Sequence, residues 1–271
     1  QGGKYYLKVD FNSVSDDEFF LDFGNDTAST STRFLEQFVD LRYLGERQSV
    51  YAYFRNYQST DRTLPPQFSP YKTLPHLYYY LNTPGIGGWY DNYGNLRFRF
   101  AGQFVNYHRG NSLTGNILSL RPSLEHNLTK PYLNITTKAE VHHNQYFLDD
   151  PARVFDDSES YTVPKFSIDG RLFSERNIVL GKNNFLQTLE PRLFYLLIPN
   201  TNYDHIPNFG SGIYDTTFAS IFQDNRFSGN ARVGDANQLT FAVTSRILNK
   251  LNGREMLRLN LGQIYYFRDR K

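Results

Sequence analysis

Apolar and polar residues alternate with a period of two along much of the chain, which places successive side chains on opposite faces of a strand. In 238–248, Leu239, Phe241, Val243 and Ile247 share one face, and Gln238, Thr240, Thr244 and Arg246 share the other. In 256–268, Leu257, Leu259, Leu261, Tyr265 and Phe267 oppose Arg258, Asn260 and Arg268. Near the start, Tyr5, Leu7, Val9 and Phe11 oppose Lys8, Asp10 and Asn12. Phe166, Ile168 and Leu172 likewise oppose Asp169, Arg171 and Glu175, and 117–125 and 135–143 alternate similarly. The rhythm predicts about eleven strands, near 4–12, 33–43, 48–57, 75–83, 95–108, 115–126, 132–147, 162–176, 185–198, 236–249 and 254–268.

Short turns are expected at Gly45-Glu46-Arg47 and Asn252-Gly253-Arg254, and longer polar links at 13–32, 58–74, 148–161 and 199–235. Residues 84–94 suit either a turn or a loop. Short connections alternating with long ones are the pattern of a membrane barrel, with tight periplasmic turns and larger outer loops. A soluble β-sandwich accounts for the alternation too, but 95–108 and 132–147 exceed the usual five or six residues of its strands. Charges also recur deep inside the strands, as at Lys138 and Glu140, Glu190 and Arg192, and Arg97 and Arg99. The expected class is therefore all-β, a transmembrane antiparallel barrel wall. Residues 1–271 form one segment of a single barrel domain.

Composition supports this picture. Aromatic residues make up 17% of the chain, with 21 Tyr and 23 Phe, yet the hydrophobic fraction is only 39%. No apolar run approaches the roughly 18 residues that a spanning helix needs. A barrel shows lipid only every second side chain, so its mean hydropathy stays low. There is no cysteine, so neither a disulfide nor a thiolate metal site is available. The formal charge of +2 and the lack of a Lys/Arg block argue against nucleic acid. Gln1-Gly2-Gly3-Lys4 leads straight into a strand with no signal peptide, so the chain is expected to be an internal piece of a longer precursor.

Catalytic chemistry finds little support. His142 and His143 are adjacent, so a strand sends them to opposite faces; His76, His108, His126 and His205 are isolated. No Gly-x-Ser-x-Gly, HExxH or P-loop pattern occurs, and no enzyme, cofactor or metal site is expected. Asp16-Asp17-Glu18, Asp149-Asp150 and Asp156-Asp157 suit solvated loops better than cation sites. Asn127-Leu128-Thr129 and Asn134-Ile135-Thr136 match glycosylation sequons by chance. Asp169, Arg171, Glu190, Arg192 and Arg246 are expected to face a wet lumen, either open to a hydrophilic partner or paired across strands. Pro122 and Pro191 fall inside strands and are expected to mark bulges. The 199–235 loop is long enough to be functional or disordered, and its interspersed Phe and Tyr argue for a packed loop folded into or over the lumen.

Three passages carry a resemblance. They are Leu189-Glu190-Pro191-Arg192-Leu193-Phe194-Tyr195, then Asp224-Asn225-Arg226-Phe227-Ser228-Gly229 running on to Gly234-Asp235-Ala236-Asn237-Gln238, and Gly262-Gln263-Ile264-Tyr265-Tyr266-Phe267. Together, over roughly 185–270, they resemble the LptD family, outer-membrane barrels that insert lipopolysaccharide (LPS). The resemblance singles out Asp224, Arg226, Phe227, Gly229, Arg232, Asp235 and Asn237 as a loop motif. Where the family usually continues Leu-Asp-Arg, this chain has Asn230-Ala231-Arg232, so Arg232 is kept without the carboxylate that would accompany it. The resemblance implies a bacterial outer-membrane location and a barrel completed by strands outside this chain. It also implies an LptE-like lipoprotein inside the lumen, an LptA-like periplasmic bridge reached through a separate N-terminal jellyroll, and LPS as the transported substrate. In such proteins, prolines near the barrel seam weaken pairing, but Pro122 and Pro191 lie in the middle of the wall and do not inherit that role. A porin-like or receptor-type channel for small solutes is the alternative.

Overall fold

A computed structural model describes residues 3–16, 19–23, 33–61, 63–83, 94–181 and 183–270. Among these, twelve strands form one antiparallel sheet. They are β1 (Lys4–Phe11), β2 (Phe34–Leu44), β3 (Gln48–Ser59), β4 (Lys72–Asn82), β5 (Asn95–His108), β6 (Thr114–Lys130), β7 (Leu133–Asp149), β8 (Ser158–Leu172), β9 (Ser174–Leu180), β10 (Asn183–Ile198), β11 (Ala236–Asn249) and β12 (Glu255–Tyr266). The strands follow one another in chain order from β1 to β8, then β10, β11 and β12, with β9 joined to β10. The sheet is open, with β1 and β12 at its edges. In lipid an open edge leaves backbone donors and acceptors unmet, so this is the geometry of part of a barrel wall.

Tight turns lie at one end of the wall, at 45–47, 131–132 and 250–254. The opposite end carries the links at 60–71, 109–113, 150–157 and 199–235. Of the segment 84–94 expected to be turn or loop, residues 84–93 lie outside the described residues. Strands β6 and β7 each run 17 residues, about 55 Å at ~3.3 Å per residue. A tilted spanning strand needs only about 9–11 residues, so this hairpin stands beyond the membrane. The two sequon matches sit at its turn end as a cross-strand ladder, with Asn127 Nδ2 donating to Thr136 Oγ1 at 2.9 Å and Asn134 Nδ2 to Thr129 Oγ1 at 3.0 Å. This polar pairing carries β6 past the 126 boundary expected from its apolar pattern.

The outward face of β7 and β8 places Leu133 opposite Leu172, Ile135 opposite Gly170, Thr137 opposite Ile168, Ala139 opposite Phe166 and Val141 opposite Pro164. Polar pairs follow, His143 with Thr162 and Gln145 with Ser160. From Leu172 to Pro164 the largely apolar stretch covers about 27 Å of strand, or ~20 Å of membrane depth at a tilt near 40°. The other face is partly buried although the sheet is a single layer. Ser119, Asn144, Tyr146, Val163, Thr240 and Ala242 there are almost fully covered, because the 199–235 loop packs on them. We call that face inner.

Pro122 and Pro191 do not make bulges. Pro122 lies opposite Phe100, and Pro191 opposite Val243, in ladders whose register runs unshifted on both sides. The β6–β7 ladder loses its pairs at Arg121 and Pro122 and resumes in the same register at Ser123 opposite Glu140. A bulge needs an extra residue; proline merely withholds one N–H, and the flanking rungs hold the alignment. The same logic explains why the strand expected at 162–176 appears as β8 and β9. Their break falls opposite Glu190 and Pro191, between the pairs Arg192–Arg171 and Leu189–Ser174. At that point the Phe173 N–H donates instead to the Tyr132 carbonyl at 2.8 Å. Register shifts occur elsewhere, around Leu74-Pro75 of β4 against both β3 and β5, and between Ile247 and Leu248 in the β11–β12 ladder.

This assignment of faces predicts an asymmetry. Leu193, at mid-strand on the outward face and 51% exposed, is expected to cost about 2–4 kcal/mol when changed to Lys in a bilayer. Thr244→Lys, on the inner face, is expected to cost less than about 1 kcal/mol. Denaturant titration of the full-length parent protein in lipid vesicles checks both, and equal costs would overturn this assignment of faces.

Candidate functional site

The five inward charges fall into two clusters. Strands β8 and β10 set Arg192 opposite Arg171 and Phe194 opposite Asp169, so these side chains share the inner face. Asp169 accepts from Arg192 Nε at 2.8 Å and Nη2 at 2.7 Å, a two-pronged pair, and from Arg171 Nη2 at 3.2 Å. One step across, Arg246 donates to Glu190, with its Nε at 3.0 Å from Oε1. The lining is thus cross-linked strand to strand. Each pair retains solvent and contributes about 0.2–1 kcal/mol. Arg192 does something further, since its guanidinium lies 3.5 Å from the centroid of the Phe222 ring, a residue of the long loop.

That loop is fastened to the inner face by charge, by hydrogen bonds and by apolar packing. Lys165 Nζ lies 2.6 Å from Glu140 and 3.2 Å from Asp224, while Lys138 Nζ lies 2.7 Å from Glu140 and 3.0 Å from Asp224. Two ammonium groups and two carboxylates therefore alternate around a ring. Lys165 and Glu140 side chains are only 8% and 10% exposed, and charges so covered need partners. Asp224 completes the ring. Burial alone would push its carboxyl up, but Lys165 and Lys138 outweigh that and hold it far below the usual carboxylate range.

Above the ring, Asn144 Nδ2 donates to the Asn230 carbonyl at 2.6 Å and Tyr146 OH to the Ala231 carbonyl at 2.8 Å. Tyr203 OH donates to Val233 O at 2.8 Å, and Thr240 Oγ1 to Ile221 O at 3.1 Å. Loop residues Ile206, Phe209 and Val233 enter one apolar cluster with Ile117, Tyr146, Tyr161, Val163, Phe194 and Leu196 of the wall. Phe209 stacks on Tyr107, with ring centroids 4.9 Å apart.

Of the motif residues, Arg226, Phe227, Arg232 and Asp235 line one cleft, while Asp224 faces the charge ring and Gly229 lies beside Ser211. Arg226 Nη2 donates to Asp235 Oδ1 at 3.2 Å, and Asp235 is buried. Phe227 bridges to Ile213, and Gly229 sits at φ +71°, a left-handed turn that suits glycine. Gly234 also has a reason: a Cβ there would lie 2.6 Å from Arg226 Cγ. The Arg232 carbonyl accepts from Asn225 Nδ2 at 2.9 Å, and Asn225 Oδ1 accepts from the N–H of Gly234 at 3.0 Å. Asn237 stands apart. It belongs to β11, opposite the inward Gln238, and its Oδ1 accepts from Tyr195 OH at 3.2 Å.

Sequence reasoning missed Lys165, Asn144, Tyr146, Tyr161 and Asn225. The alternation in β7 and β8 does place the first four on one face, but only the fold shows a loop descending onto them. His142 and His143 do point to opposite faces, the former to Asn144 Oδ1 at 3.1 Å and the latter to Thr162 Oγ1 at 2.8 Å. Asp150, from an expected acidic cluster, organises its own turn, accepting from the N–H groups of Ala152, Val154 and Phe155 at 2.7–3.1 Å. Among the described residues no three His or acidic side chains converge as a metal would require.

A one-layer antiparallel wall with an apolar outward band, a charged inward face and a loop seated within it defines a membrane β-barrel protein. The family profile described as LPS transport system D matches residues 2–271, and the chain belongs to the LptD family. It is 35% identical over 99% of its length to the LPS-assembly protein LptD of Nitrosococcus oceani, covering 36% of that relative. It is 36% identical over its whole length to the same-named protein of Nitrosospira multiformis, covering 29% of it. The chain thus spans about a third of the length of the curated relatives it matches.

The charge ring yields a test. Asp224→Asn is expected to loosen the loop by about 1–2 kcal/mol, since Asp224 keeps 39% of its side-chain surface exposed and solvent screens part of the loss. Hydrogen exchange of 220–235 in the full-length protein reads it. Because the folded carboxyl is depressed, its contribution is complete above the unfolded value near 4 and declines as pH falls below it. Loop protection limited by this contact is therefore expected to be flat from pH 8 to about 5 and to fall below about 4 in the unaltered protein only.

Proposed function

We propose that this chain builds part of the wall of a bacterial outer-membrane barrel that assembles LPS at the cell surface. The observation that carries the reading is the family match along the entire chain, joined to a loop whose matching motif is the part that locks onto the inner wall. In this reading the outward band meets acyl chains, and the 199–235 loop enters from the outer end. It occupies the inner face of β5–β11. The inner face of β2–β4 stays open, lined by Asp40, Arg42, Tyr51, Tyr53, Arg55 and Tyr78. Paired charges and tyrosine hydroxyls keep that surface wet, as a hydrophilic saccharide or a protein plug requires.

The whole protein would receive LPS from an LptA-like periplasmic bridge through a domain outside these residues. An LptE-like lipoprotein would sit in its lumen. The lipid would leave sideways into the outer leaflet while the sugars cross the lumen. No bond is made or broken, so the wall contributes shape, wetting and a fixed constriction. The test is conditional depletion of the parent protein in its host with labelling of surface LPS. The expected outcome is that new LPS stops reaching the surface and accumulates inside. Continued delivery of LPS with reduced uptake of small solutes would instead assign a porin-like channel.

A further inference from the structure

The outward face of β5–β10 is not evenly filled. Across the strands, Phe98, Leu124, Ala139, Phe166 and Leu197 form one row through consecutive register pairs. Toward the loop end, the next row holds Phe100, Pro122, Val141 and Pro164. Ala139 is the small member between Leu124 and Phe166, and the prolines add only shallow rings. The surface therefore dips between taller neighbours into an apolar groove of about 520 Å³. Leu124, Val141, Phe166 and Leu197 along it are 36–48% exposed. Glu140 and Lys165 also border the groove, but their charged ends turn inward to the ring with Asp224.

Backbone pairing fails at this place for a local reason. The β6–β7 ladder loses its pairs at Arg121 and Pro122. The β8–β10 ladder ends at Phe166–Leu197, and the next step would set Pro164 against Pro199, two residues without an N–H. A gap in a sheet ordinarily invites another strand. Prolines offer such a strand no donor, and they leave no N–H unmet in lipid. The occupant that fits is a flexible apolar chain with no hydrogen-bonding groups of its own.

Position says what such a chain is attached to. The groove ends the apolar band on its loop side, in the outer half of the membrane. The rows beyond it are Gly102, Leu120, His143 and Thr162, then Phe104, Leu118, Gln145 and Ser160. His143 Nδ1 and Thr162 Oγ1 are 2.8 Å apart, and Gln145 Nε2 donates to Ser158 Oγ at 3.0 Å. From Val141 to Gln145 is about 13 Å of strand, so a chain in the groove brings its head to these side chains. None of the residues in these four rows is Lys, Arg, Asp or Glu. A phosphodiester head calls for basic partners. Neutral hydroxyl, amide and imidazole groups beside Phe104 and Leu118 suit the hydroxyls and C–H faces of a sugar.

We propose that this groove and the His143, Thr162 and Gln145 side chains above it seat one saccharide-headed lipid of the outer leaflet. Its acyl chain lies over Ala139, and its sugar meets the polar rows. The source of the lipid rests on the LPS reading above; the seat rests on the geometry. It lies in mid-wall, away from the open edges at β1 and β12.

The test uses the full-length protein purified with its lumen partner and stripped of lipid in detergent. LPS or phosphatidylethanolamine is then added back, and retained lipid is counted by native mass spectrometry. The unaltered protein is expected to retain LPS about tenfold better than phosphatidylethanolamine. Ala139→Trp fills the groove with an apolar ring that lipid tolerates, and is expected to hold one LPS fewer. Val243→Trp, on the outward face of β11 outside the groove, is expected to hold as much as its parent. Gln145→Ala combined with Thr162→Ala is expected to weaken LPS retention and leave phosphatidylethanolamine unchanged. Equal retention of the two lipids overturns the proposal, as does folded Ala139→Trp protein that keeps its full complement of LPS. If depletion of the parent protein leaves LPS delivery intact while Ala139→Trp still lowers retention, the assembly reading fails and the seat stands.

Discussion

A sheet one layer deep has nothing of its own to pack against, and that constraint shapes everything else in this chain. Backbone pairing satisfies the strands sideways, from β1 to β12. Each face must then find a solvent that suits its side chains. The outward face is apolar enough for acyl chains. The inward face carries Lys138, Glu140, Lys165 and Tyr161, side chains that lipid excludes, and it buries several of them under the 199–235 loop. The loop is therefore the second layer of the fold over half the wall, delivered by the chain to itself.

Its attachment explains why a long connection can be ordered with only one 3-10 turn at Ser220–Phe222 and one bridge between Ile213 and Phe227. A ring of four alternating charges fixes one point, the carbonyls of Asn230, Ala231 and Val233 are held by side-chain donors, and Ile206, Phe209 and Val233 supply apolar burial. Backbone groups in a buried loop need such partners one by one. The motif 224–235 is dense in charge and amide because it must satisfy both the wall and its own turns. Asn225 shows the second duty, bridging the turn through three hydrogen bonds.

The prolines illustrate how far a ladder tolerates a missing donor. Pro122 and Pro191 each leave two positions of one ladder unpaired, and the register survives because the pairs on either side hold the alignment. At Pro191 the gap is large enough to split one strand into β8 and β9, although both keep a single alignment with β10. Inferring a bulge from proline alone confuses a lost hydrogen bond with an added residue.

Sequence alone determined the class, most of the strands and the two faces, because period-two alternation is a local property and lipid contact leaves it plainly visible in β7, β8, β11 and β12. It also marked the 199–235 loop and the inward placement of Asp169, Arg171, Glu190, Arg192 and Arg246. Only the tertiary structure decided which charge meets which, since Asp169–Arg192 and Glu190–Arg246 depend on a register between strands that composition does not encode. It alone brought Asp224 to Lys138 and Lys165, residues 86 and 59 positions away, and set Asn237 on a strand away from the loop cleft. Contacts between distant segments are set by how the sheet folds its ends together, and no spacing along the chain carries that information.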